Sequence, residues 1–148
     1  MRDVVRGVSS VFGRKTLVSL VMALWVVSEI VGCSQNVSVQ STGAVRYVHI
    51  LDEVRPPTLY ARVGDEIRWL NLQSGPVRVG ILHGAWDGHV ACEKGFKRFG
   101  AMDDVVVIAP QEYVSLCFAK PATIRYNVWM DAKNLKGSMS PTAIIRID

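Results

Sequence analysis

Glu66-Ile67-Arg68-Trp69-Leu70-Asn71 sets Ile67 and Trp69 against the charged Glu66 and Arg68 with a period of two. That period belongs to a strand with one buried face, because successive side chains of a strand point to opposite sides. The chain turns at Gly64-Asp65 just before this run and at Gly75-Pro76 after it. It then alternates again through Val77-Arg78-Val79-Gly80-Ile81. Strand-like runs bounded by turn residues extend in both directions from this centre.

Toward the N-terminus lie Leu59 to Val63 and the β-branched stretch Val45 to Ile50, with Pro56-Pro57 excluding a helix between them. Toward the C-terminus lie Val105 to Ile108, Tyr113 to Phe118, Thr123 to Trp129 and Ala143 to Ile147. Seven or eight short strands at this spacing indicate an all-β, Greek-key β-sandwich. The connection from Leu82 to Asp104 is irregular by this reading. A short helix is predicted within it, between Cys92 and Met102. Lys94, Lys97 and Arg98 would interleave there with Phe96 and Phe99 on a solvated or docking face.

The first residues have the layout of a secretory signal. A basic region runs to Lys15, an apolar stretch from Leu17 to Val27 follows, and Ile30-Val31-Gly32-Cys33 resembles a bacterial lipobox. The apolar stretch is shorter than the roughly 20 residues of a membrane-spanning helix. The expectation is a lipoprotein signal peptide over residues 1–33 with lipid on Cys33, a polar tether over 34–43 and one domain over 44–148. The chain would then sit in the cell envelope, lipid-anchored and facing the periplasm. Ser34 after the Cys favours the outer membrane.

The chain has 17 basic and 13 acidic residues. Residues 1–33 hold four of the basic and two of the acidic ones, so the remainder carries a net charge of +2. Such a near-neutral domain gives no reason to expect nucleic acid as a partner. Of the three cysteines, Cys92 and Cys117 remain once Cys33 carries lipid. In an oxidising compartment they read as a disulfide, contributing roughly 3 kcal/mol. The alternative is that one of them is a thiolate metal ligand. No nucleophile–base pair, phosphate loop or paired-carboxylate constellation stands out, so an enzyme is not expected.

From about Val45 to Ile147 the chain resembles the cupredoxins, in their plastocyanin-like branch. The resemblance is carried by Val63-Gly64-Asp65-Glu66-Ile67-Arg68-Trp69-Leu70-Asn71 and by Pro110-Gln111-Glu112-Tyr113, where Gln111 stands in place of a Gly. Pro121-Ala122-Thr123-Ile124-Arg125-Tyr126 and the closing stretch from Lys136-Gly137 through Ala143 to Ile147 continue it. It implies a copper site of two His, one Cys and usually a Met, the donor set of a blue-copper centre.

Carried over position by position, the first His falls on Val77 and the Cys on Val128. No His follows His89, and only Met130 and Met139 are candidates for the Met. The resemblance therefore implies a cupredoxin-like domain without a blue-copper centre and with no cofactor expected. Its expected role is a non-catalytic binding or accessory one, with a protein partner in a redox or copper-handling complex. The alternative is a copper-binding or electron-transfer protein with a rearranged site, using His83, His89, Cys92 and Met139 with Asp87 nearby. Trp86, Trp129 and Met130 flank the position of the copper loop. They read either as packing or as an apolar contact patch.

Overall fold

A computed structural model describes residues 41–82, 90–134 and 136–148. The expected signal peptide and most of the tether, with Cys33, lie outside the described residues, as do His83, Trp86, Asp87 and His89.

The described chain is all-β. One sheet contains β1 (Val45–Ile50), β2 (Val54–Arg55), β4 (Glu66–Asn71), β6 (Val90–Lys94) and β10 (Tyr113–Phe118), in the order β2-β1-β4-β10-β6. The other contains β3 (Thr58–Ala61), β5 (Val77–Ile81), β9 (Val105–Ile108), β11 (Ala122–Trp129) and β12 (Ala143–Ile147), in the order β3-β12-β11-β5-β9. A small hairpin joins β7 (Lys97–Arg98) to β8 (Ala101–Met102). The chain passes repeatedly from one sheet to the other, as a Greek-key sandwich requires. Every strand read from the sequence is present. Leu59 to Val63 shifts to Thr58–Ala61, and Thr123 to Trp129 gains Ala122.

β4 is the central strand of the first sheet, parallel to β1 and antiparallel to β10. Its alternation is the one read from the sequence: Ile67, Trp69 and Asn71 are buried, and the residues between them are half-buried. From the second sheet, Val77, Val79, Ile124, Tyr126, Val128 and Ile145 enter the same core. Apolar side chains on both inner faces, removed from water, supply the main stabilisation of such a sandwich.

Two turns position the central strand. At Arg62-Val63-Gly64-Asp65 the Asp65 N–H donates to the Arg62 carbonyl, and Gly64 has φ 87°. A positive φ at the third residue of a turn is the slot that glycine fills without steric cost. At Ala109-Pro110-Gln111-Glu112 the Glu112 N–H donates to the Ala109 carbonyl, and Gln111 has φ 63°. Gln111 thus adopts the left-handed conformation that glycine takes most readily.

The helix predicted between Cys92 and Met102 does not form. This stretch is β6 followed by the β7–β8 hairpin. Gly95 (φ 90°), Phe99 (φ 52°) and Gly100 (φ 86°) are left-handed, which a right-handed helix cannot accommodate. Cys92 is held in register with Cys117 of β10. The basic and aromatic residues here therefore share no helix face. Phe96 is fully buried, and Phe99 is 97% exposed.

Candidate functional site

The positions assigned to copper ligands by resemblance lie in the core of the second sheet. Val77 begins β5 and Val128 is near the end of β11, where it pairs with Val79. Both side chains have no solvent exposure and belong to the main apolar cluster. Neither carries a nitrogen or sulfur donor, so these residues do not fit a blue-copper ion.

The aromatic side chains of Trp69, Phe96 and Tyr126 belong to the same apolar cluster. Trp69 makes edge-to-face contacts with Phe96 at 5.5 Å and with Tyr126 at 5.7 Å between ring centroids. All three are fully buried. Among the described residues, neither Trp69 Nε1 nor Tyr126 Oη has a hydrogen-bond partner of good geometry. Burial pushes the Tyr126 phenol pKa up, and the adjacent Trp69 indole opposes that only in part. Tyr126 is therefore a neutral core side chain rather than an acid or base.

Asn71 ties this region together. It is fully buried, and its side-chain amide donates to the carbonyls of Gly75 at 2.9 Å and Ile108 at 3.0 Å. Its Oδ1 accepts from the Gln73 N–H at 2.9 Å. One amide thereby fixes the turn between β4 and β5 and clamps it to β9. Asn127 and Ser140 do the same for the segment that follows β11. The Asn127 amide donates to the Ser140 carbonyl, and Ser140 Oγ accepts from the Val128 N–H, each at 2.9 Å.

Cys92 and Cys117 form a disulfide, with Cα atoms 4.8 Å apart. That separation lies inside the range for disulfides, about 4.4–6.8 Å. The bridge removes Cys92 as a thiolate ligand from the rearranged set of His83, His89, Cys92 and Met139. Met139 is 58% exposed and pairs with Trp129 across an isolated bridge. Among the described residues, no three His, Cys, Asp or Glu side chains gather closely enough to hold a metal ion.

Met139 also lines a groove of about 800 Å³ together with His49, Glu53, Arg55 and Met130. His49 stacks on Tyr47 at 5.7 Å. His49 is not singled out by the sequence, because the far side of its groove is built by Met130 and the distant segment Ser138 to Ala143. Met130 packs against the core, and its sulfur accepts from Gln73 Nε2 at 3.4 Å. Trp129 lies on the outer face of the second sheet, over Gly80. A Cβ at Gly80 would come within 2.6 Å of the Trp129 ring.

No family model matches the chain, and no curated protein matches it. Among solved structures the chain is similar to amicyanin. A reduced mutant of amicyanin shares 18% identity with a TM-score of 0.48, over 73% of this chain and 85% of that one. An oxidised mutant shares 19% identity with a TM-score of 0.48 over the same proportions. A Cu(I) form of a third mutant shares 17% identity with a TM-score of 0.47, also over 73% and 85%.

Proposed function

We propose that this chain is an exported, lipid-anchored, cupredoxin-like accessory protein that works by binding a partner at the periplasmic membrane face and has no blue-copper centre. The observation that carries the reading is the full burial of Val77 and Val128 within the apolar cluster. Side chains that fill the expected ligand positions stabilise the sandwich by packing, which leaves the domain as a scaffold for contacts. Support for export comes from the Ile30 to Cys33 stretch and from the Cys92–Cys117 disulfide, a bond typical of oxidising compartments. The reading assigns no catalytic residues.

Metal analysis of the purified full chain, with a Cu(II) titration followed in the visible spectrum, tests the central part. The expected result is no stoichiometric copper and no intense band near about 600 nm, since that band needs a copper–thiolate bond. A strong band would show that the ligand positions lie elsewhere. Mass spectrometry of the membrane fraction tests the anchor, and an unmodified N-terminus on a soluble protein would reject it.

A further inference from the structure

The two outer faces of the sandwich differ in how their charges are matched. The ion pairs between described residues are Arg46–Asp65, Arg55–Glu53, Arg68–Glu66 and Lys97–Glu93, and two of them, Arg55–Glu53 and Arg68–Glu66, involve outward positions of the first sheet. On the second sheet, the outward strand positions include Arg78, Arg125 and Arg146 and no carboxylate. None of these three arginines forms an ion pair among the described residues.

Strand register orders this face. Val107, Arg78, Trp129 and Met139 are successive cross-strand partners, so they form one row across the sheet. Arg125 lies four residues back along β11 from Trp129, about 14 Å along the strand. Arg146 pairs with Thr123 on one side and with Tyr60 on the other. The result is a diagonal of guanidinium groups with Trp129, Val107 and Met139 at one end and Tyr60 at the other. Val107, Met139 and Tyr60 are 51%, 58% and 64% exposed. Arg, Trp, Tyr and Met are residue types enriched in protein interfaces.

Arg78 adds an independent observation. Its Nε is buried and has no hydrogen-bond partner among the described residues. A buried donor left unsatisfied carries a desolvation cost that an acceptor brought by a ligand would remove. All three cations are Arg, whose planar fork matches a carboxylate in two parallel hydrogen bonds.

We infer that the outer face of the β3-β12-β11-β5-β9 sheet docks an acidic protein surface, with carboxylates on Arg78, Arg125 and Arg146 around an apolar contact at Trp129 and Val107. This deepens the accessory-protein reading by naming the chemistry of the partner. It does not depend on whether copper binds, so the metal analysis and the experiment below can fail separately.

The test uses the isotopically labelled full chain and two probes, poly-L-glutamate and phosphatidylglycerol vesicles, followed by chemical-shift changes. The polymer should shift the Trp129 indole and Val107 methyl signals and leave those of Tyr47, on the other sheet, in place. The effect should weaken as salt rises. Replacing all three arginines (R78Q, R125Q and R146Q) should reduce the affinity about tenfold. Because Arg78 is partly buried, the exposed pair R125Q and R146Q serves as the second variant, with an expected loss of about threefold. The proposal is overturned if the polymer leaves Trp129 and Val107 unperturbed or if the pair variant binds as well as the native chain. It is also overturned if vesicles engage this face at a lower concentration of anionic groups than the polymer, which would make it a membrane surface.

Discussion

Cys92 on edge strand β6 and Cys117 on β10 are directly paired in the antiparallel ladder, and their Cα atoms are 4.8 Å apart. This close approach is that of a pair without mutual backbone hydrogen bonds, where facing side chains lie nearest. The bridge closes a sequence separation of 25 residues and ties β6 to the sheet. Removing it as C92A/C117A should cost about 2–5 kcal/mol, read from denaturant unfolding of native and variant chains. A loss well under 1 kcal/mol would mean that the ladder alone holds β6.

Gln111 should be replaceable by glycine with a gain. Its φ of 63° lies in the left-handed region, where a non-glycine residue pays about 1–2 kcal/mol. Glycine avoids that cost but has more freedom to lose on folding, which offsets part of the gain. The expected result for Gln111→Gly is a stabilisation of about 0.5–1 kcal/mol in thermal or denaturant melts. The Gln111 N–H bond to the Asn71 carbonyl, 2.9 Å long, would be kept.

Asn71→Ala should be among the most damaging single changes in the domain. It removes three hydrogen bonds from a fully buried amide and strips the Gly75 and Ile108 carbonyls of a donor. A cost of about 2–4 kcal/mol is expected from buried groups left unpaired. Hydrogen exchange should speed up selectively in β9 and the turn after β4. Uniform loss of protection would contradict a local clamp.

These residues also show what the sequence could reveal. The strands were legible wherever one face is buried, because alternation such as that of Ile67, Trp69 and Asn71 survives in the sequence as a period of two. The stretch from Cys92 to Met102 misled because Lys94, Lys97 and Arg98 interleave with Phe96 and Phe99 at helix-like spacing. The deciding features are conformational: left-handed Gly95, Phe99 and Gly100, and a bond to a strand 25 residues away. The Cys92–Cys117 pair was legible from the count of cysteines once Cys33 is set aside for lipid and an oxidising compartment is expected. The arginine diagonal was not, because Arg78, Arg125 and Arg146 come onto one face only through the pairing of β5, β11 and β12.

Gly80→Ala should displace Trp129. The added methyl would lie 2.6 Å from the indole ring, well inside contact distance. Overpacking of this kind costs about 1–3 kcal/mol. The Trp129 signal in fluorescence or NMR should move while the core signals of Trp69 stay in place. If Trp129 is unmoved and stability unchanged, the ring does not rest on Gly80.

Stability should fall on the acid side, and Asp65 and Glu66 should be its main source. Burial alone would raise the Asp65 pKa, but hydrogen bonds from the Thr42 hydroxyl, the Arg62 N–H and Arg46 outweigh it and hold the carboxyl below its ordinary value of 3.8. Glu66 is lowered first by its hydrogen bonds with Arg68, against burial, from an ordinary 4.5. A carboxyl whose pKa is depressed in the folded state binds its proton more readily in the unfolded chain. Its stabilisation is therefore complete well above the unfolded values and is lost as pH falls through the folded ones. The melting temperature should be insensitive to these two groups above about pH 6 and should decline from about pH 5 downward. Asp65→Asn should lower stability at neutral pH by about 1–3 kcal/mol, since it gives up charge-assisted hydrogen bonds at a side chain that is 1% exposed. The same variant should flatten the decline on the acid side, because the group that titrates is gone. Melting curves of native chain and variant between pH 3 and 8 decide this, and parallel curves across that range would show that Asp65 does not carry the pH dependence.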